Sequence, residues 1–192
     1  MAFELIAGHP ALDLVNTLDW RFGGKGPQEL LASYDDLLEF VRQWKLPCVR
    51  PAAGRSAGAR VLGRCIDLRE ALAEVLYARL DGGEPSVSAR DRLERYFKEA
   101  RLRQKLNWNQ WPQVQWEWAV AESGPDLPVW ALALSAADLM TSEAADRVRA
   151  CGNQECRWLF LDTSKNHTRR WCDMKLCGNR MKARRFKAHK RN

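Results

Sequence analysis

Four cysteines near the C-terminus, Cys151, Cys156, Cys172 and Cys177, follow the spacing C-x4-C-x15-C-x4-C. No other feature constrains this chain as strongly. Two pairs with the same internal spacing can each clamp two corners of a tetrahedron from one tight turn, and the intervening segment brings the pairs together. The expectation is a structural Zn2+ held by all four thiolates, with no coordination position left open. Gly152 and Gly178 each follow a ligand, where a tight turn favours a residue free of Cβ strain. Two other arrangements fit the same residues: four buried thiols in a helical core, or three cysteines with His167 or His189 as the fourth ligand. Cys48, near a proline, and Cys65, on an apolar helical face, read as structural thiols. In so small a unit metal-binding energy is folding energy, so the ion decides whether the segment folds.

Charge is placed unevenly along the chain. Residues 151–192 carry 12 Lys+Arg and 3 Asp+Glu, a net +9, whereas the rest of the chain is at −2. A basic module attached to a near-neutral body points to a polyanionic partner, of which nucleic acid is the commonest. No stretch approaches the ~20 apolar residues of a membrane span, and the opening segment lacks the pattern of a secretory signal. The expected compartment is therefore the cytoplasm, where cysteines stay reduced and free to bind metal.

The first 150 residues read as mainly helical. Ala11–Leu18 is a short apolar segment after Pro10, and Gly23-Gly24-Lys25-Gly26-Pro27 is a loop without the spacing or the Ser/Thr of a phosphate-binding loop. Ser33 and Asp36 mark a helix start, Leu37, Leu38, Phe40, Val41 and Trp44 give its apolar face, and Pro47 ends it. Pro51–Gly58 reads as a small-residue loop. Apolar residues from Val61 to Leu76 recur mostly at spacings of three and four, which predicts a helix over 59–80 closed by Gly82-Gly83. Ser86 or Ser88 caps a further helix extending to about Leu106. Val114, Trp116, Trp118 and Val120 alternate with other residues as in a strand, with Trp116 and Trp118 facing a core. Leu127–Leu132 suits either a strand or a helix entry, and 133–150 reads as a helix running straight into Cys151. The fold class is mainly α with a small β-hairpin (α+β): a helical domain over 1–148, then a compact four-cysteine finger over 149–192 that ends in a basic helix.

The finger segment resembles the CGNR zinc finger, named for the run found here at Cys177–Arg180. Trp158–Lys165 and Arg169–Met174 are similar to that family's pattern, and all four of its zinc-binding positions are cysteine here. The opening Gly8-His9-Pro10-Ala11-Leu12-Asp13-Leu14-Val15-Asn16-Thr17 resembles the start of the ABATE domain usually fused to that finger. This two-part resemblance implies a stress-related bacterial transcription regulator that binds DNA.

A helix beginning near Asn179 turns Arg180, Arg184 and Lys187 to one side, with Lys182 and Arg185 on an adjacent strip and Met181 and Phe186 as inward anchors. With Arg169, Arg170 and Lys175 these are the candidate nucleic-acid contacts, since the arginine fork matches phosphate and guanine edges. Asn179 is expected to cap the helix, Trp158 and Trp171 to pack beside the metal, and Asp162 with Ser164 to hold the turn between the pairs. His9, Asp13, Asn16 and Thr17 either line a polar ligand pocket or satisfy local backbone groups. No catalytic constellation is present, so the expected role is binding. The leading class is a DNA-binding regulator whose body dimerises or senses a small molecule; the alternatives are docking of an acidic protein and an RNA-binding zinc knuckle.

Overall fold

The computed structural model describes residues 3–48, 55–119 and 124–189, with the side chains of residues 55, 185 and 187–189 outside that description. The chain divides into two compact units that do not follow its linear order. One comprises residues 1–3 and 31–138; the other joins residues 4–30 to 139–192. A boundary near residue 148 separates the halves in sequence, but in space the first 30 residues belong largely with the cysteine segment. No described helix is long and apolar enough to cross a membrane.

In the second unit, α1 (Pro10–Asn16) starts on His9, whose Nδ1 accepts the Ala11 amide at 3.2 Å. Its six residues from Ala11 to Asn16 are all buried. A short antiparallel ladder follows. β1 (Leu18–Asp19) pairs with β2 (Gln28–Glu29), which closes the glycine loop between them.

In the first unit, α2 (Tyr34–Gln43) is capped by Ser33, whose hydroxyl accepts the Asp36 amide and bonds the Asp36 carboxylate at 2.7 Å. Leu37, Leu38, Phe40 and Val41 are its buried face, and it ends before Pro47, with Lys45 left-handed at φ 54°. Helix α3 (Arg55–Leu80) begins within the expected loop; residues 51–54 lie outside the described residues. It closes on Gly82, at φ 73°, with the Gly83 amide bonded to the Ala78 carbonyl. Helix α4 (Val87–Arg101) is capped by Ser86 and stops short of Leu106. There β3 (Gln104–Asn107) pairs with β4 (Gln115–Trp118), setting Leu106 opposite Trp116. A distant strand partner thus overrides the local helical tendency. Trp116 does not enter the core: it is 54% exposed beneath Arg101, because a lone hairpin has no second layer to cover both faces. Val120 lies outside the described residues.

Helix α5 (Leu127–Thr141) resolves the ambiguous apolar run, being buried at every position from Leu127 to Leu134. It does not continue to Cys151. A 3-10 turn, Glu143–Arg147, leads into β5 (Val148–Ala150), which pairs antiparallel with β6 (Leu159–Leu161). The first cysteine pair therefore sits on a hairpin, because Cys151 must turn back within five residues to present Cys156 beside it. A five-residue π turn, Met174–Gly178, then runs directly into α6 (Asn179–His189).

Candidate metal centre

The far edge of β6 is completed by the start of the chain. The Asn16 side chain accepts the Leu159 amide at 2.8 Å and donates to the Leu159 carbonyl at 2.9 Å, as a neighbouring strand would. The Leu161 amide continues that edge by donating to the Ala7 carbonyl at 2.7 Å. Such pairing satisfies backbone groups that burial would otherwise strand.

On this support the four cysteines converge. Cys151 follows β5 and its amide bonds the Trp158 carbonyl; Cys156 lies in the turn closed by the Asn153 carbonyl; Cys177 rides the π turn, capped by Asp173 through the Leu176 amide. Asp173, not Asn179, is thus the cap, since the π turn already supplies the helix with its preceding carbonyls. All four sulfurs lie within 4.8 Å of one another, and all four residues are buried. Cys156 and Cys172 have their sulfurs 3.8 Å apart. A tetrahedron with metal–sulfur bonds of about 2.3 Å has edges of about 3.8 Å, so the spacing suits a zinc-sized ion.

The charge state points the same way. Cys151 is held down to about 2 by hydrogen bonds from the Cys156 and Cys172 thiols, with help from backbone hydrogen bonds of Cys172 and Asn153. Cys156 and Cys172 are pushed far up, chiefly because each donates to Cys151 and would otherwise ionise beside it while buried. One thiolate therefore opposes the next, and a divalent cation at the centre removes that opposition. Asn153, itself 1% exposed, donates to the Cys177 sulfur at 3.7 Å. His167 stands apart, exposed at φ 50°, with Nδ1 on the Asp162 carbonyl; the four-sulfur set displaces it as a ligand. His189 falls outside the described side chains.

Trp158, Phe160, Ile6 and Trp171 wall the cluster. Trp158 is further anchored by its indole N–H on Asp19 Oδ1 at 2.8 Å. Gly152 is needed for close approach, because a Cβ would sit 3.2 Å from both the Arg170 carbonyl and the Trp171 ring. At Gly178 the only crowding under 3.0 Å is with the flexible end of Met174. Neither glycine adopts a positive φ, so the turn-strain reading gives way to one of packing.

Asp162 is fully buried and holds the inter-pair turn, accepting from the Ser164 amide and hydroxyl and from the Arg169 amide at 2.9 Å. The Ser164 hydroxyl is the main cause of its lowered pKa. Arg169 itself turns inward. Its guanidinium donates to the carbonyls of Trp171, Ile6 and Cys172, and lies 4.3 Å over the Phe160 ring. This geometry makes Arg169 a staple between the chain start and the second cysteine pair, rather than a free phosphate contact. Arg169→Ala should lower stability by about 3 kcal/mol, since charged hydrogen bonds and a ring contact are lost together. Chemical denaturation of the metal-loaded protein would show this; an unchanged midpoint would return Arg169 to the surface-contact group.

Each of the four N-terminal candidates bonds a backbone group. His9 caps α1, Thr17 donates to the Leu14 carbonyl at 2.6 Å, Asn16 serves β6, and Asp13 accepts the Ala7 amide at 3.0 Å.

Five of the remaining basic candidates are exposed. Arg170 is exposed with its guanidinium 5.1 Å over Trp171, and Lys175 and Lys182 are exposed. Arg180 and Arg184 share one side of α6, Arg180 lying 4.8 Å over Trp20 and Arg184 pairing with Glu155 at 2.8 Å. The side chains of Arg185 and Lys187 lie outside the described residues. Met181 is half-buried, whereas Phe186 is 62% exposed. Sequence reasoning missed Trp20, Ile6 and Asn153 as parts of this unit. Their only sequence signal was proximity to recognised residues, which cannot show which distant segment they meet.

The chain matches the ABATE family, described as "Putative stress-induced transcription regulator", over residues 8–143. Residues 147–190 match the CGNR zinc finger. No curated protein matches the chain.

Proposed function

The chain belongs to the ABATE family, and from that premise we propose that it is a zinc-dependent, DNA-binding transcription regulator. The observation that carries this reading is the set of outward cations beside the four-sulfur cluster: Arg170, Lys175, Arg180, Lys182 and Arg184. Cys151, Cys156, Cys172 and Cys177 would hold the ion, which supplies a cross-link and, with four thiolates, no Lewis-acid position. The protein residues do the rest. Asp173 starts the π turn that aims α6, Asn153 orients Cys177, and Arg169 ties the second cysteine pair to the chain start. A rigid base of this kind lowers the ordering cost of presenting arginines to phosphate. The role is binding rather than catalysis.

If these five side chains neutralise five phosphates, log K should fall against log salt with a slope of about −4.5 on duplex DNA. Arg180→Ala with Arg184→Ala should weaken binding and reduce the slope to about −2.7. Fluorescence anisotropy across a salt series would measure both. A flat response, or a slope unaltered in the double variant, would remove DNA as the partner. Competition at fixed salt separates the rivals: preference for single-stranded RNA or for an acidic protein over duplex DNA would reassign the surface accordingly.

A further inference from the structure

Within the second unit a cleft of about 700 Å³ lies between the loop of Gly23–Gln28 and the start of α6. This is the size range of small-molecule sites. Its functional lining is Trp20, Gly24, Lys25, Glu155, Arg180 and Arg184. Three cations face one carboxylate there, so the cleft favours an anion even with Glu155 paired to Arg184. Trp20 offers a π surface on which the Arg180 guanidinium now rests at 4.8 Å; a planar ring would stack there in the guanidinium's place.

Backbone hydrogen bonds hold the loop. It is pinned at its ends by the Leu18–Glu29 and Asp19–Gln28 pairs, and internally by Gly23 N–H to the Trp20 carbonyl and Gly26 N–H to the Gly23 carbonyl. Two of its three glycines have structural reasons. A Cβ on Gly23 would crowd Trp20 at 3.2 Å, and Gly26 has φ +86°. Gly24 has neither: its φ is ordinary and a Cβ would meet nothing within 4 Å. The fold does not require a glycine there, whereas a ligand approaching the backbone closely would.

We propose that this cleft binds a nucleoside monophosphate. Lys25 and Arg184 meet the phosphate, the base stacks on Trp20 once Arg180 swings off that ring, and Glu155, once Arg184 turns to the phosphate, accepts from a ribose hydroxyl or a base amino group. The assignment does not depend on DNA being the macromolecular partner. If both bind, they draw on the same two arginines and exclude one another.

Calorimetric titration of the metal-loaded full chain with AMP, GMP, CMP and UMP tests the site, with inorganic phosphate and guanosine as controls. Saturable binding of at least one nucleotide is expected, with phosphate and nucleoside alone each about tenfold weaker or worse. Gly24→Leu extends a side chain into the open cleft, and should weaken the nucleotide about tenfold while metal content, melting temperature and duplex-DNA affinity stay at wild-type values. Lys25→Glu, at an exposed position, should show the same loss by a different route. No binding at millimolar nucleotide, phosphate binding as tightly as nucleotide, or both variants binding like wild type would each overturn the proposal. Loss of DNA affinity in Gly24→Leu, without nucleotide binding by the wild type, would assign the cleft to a polymer strand and also overturn it.

Discussion

Replacing Cys172 by serine is expected to release the metal and unfold residues 4–30 together with the finger. A structural zinc of this type contributes about 10–16 kcal/mol of apparent binding energy, comparable to the whole ~5–15 kcal/mol stability of a typical domain. Without it, the three remaining sulfurs, Cys151, Cys156 and Cys177, are left crowded in a buried cluster with no ion to offset their charge. The loss should spread to α1, because Asn16 and Ala7 bond directly to β6 and Arg169 reaches the Ile6 carbonyl. Metal-to-protein ratio, far-UV circular dichroism and amide hydrogen exchange would be read together. Helices α2, α3 and α4 should keep their protection, since their buried faces lie in the other compact unit. A zinc-loaded serine variant with an unchanged spectrum would refute the metal assignment. Retained protection in α1, with the finger lost, would refute its dependence on the finger.

The second large effect concerns Asp13. This carboxyl is 3% exposed; Oδ1 takes the Ala7 amide, and Oδ2 has no hydrogen-bond partner among the described residues. Burial pushes its pKa from 3.8 up to about 7, against the weaker pull of the backbone hydrogen bonds from Ala7 and Ile6. In the unfolded chain the group ionises near its ordinary value, so the folded state binds the proton more tightly. Stability from this group is therefore complete below about pH 4, declines by about 1.4 kcal/mol per pH unit, and is lost above about pH 7, a span of about 4 kcal/mol. Asp13→Asn keeps an oxygen for Ala7 and removes the titration. Its advantage over wild type should widen from acid to neutral pH and level off above about pH 7. Urea unfolding of both proteins at intervals of pH would measure it, and a constant gap between them would exclude an uncharged Asp13.

Much of this architecture was legible because it is written locally. Ser33 and Ser86 announce their helices with side chains that satisfy the first amides, and the cysteine spacing announces a four-sulfur cluster. What escaped was decided by partners far along the chain. Nothing around Leu102 shows that α4 must stop, because the reason is the later strand Gln115–Trp118. The run after Thr141 looks helical until Leu159–Leu161 is there to pair with it. Arg169 and Arg170 look equivalent in sequence, yet one is consumed by backbone carbonyls and the other is exposed. Residue type gives the charge; only the fold decides whether that charge is spent inside.

The nesting of one unit within the other has a consequence for biosynthesis. Residues 4–30 leave the ribosome before the segment they complete, which follows only after the whole of 31–138 has emerged. The interrupting segment can fold on its own schedule, whereas residues 4–30 must wait until the cysteine segment has emerged. Capture of the ion is thereby a closing event, and a chain truncated anywhere before Cys177 would carry an orphaned opening segment with its apolar residues uncovered.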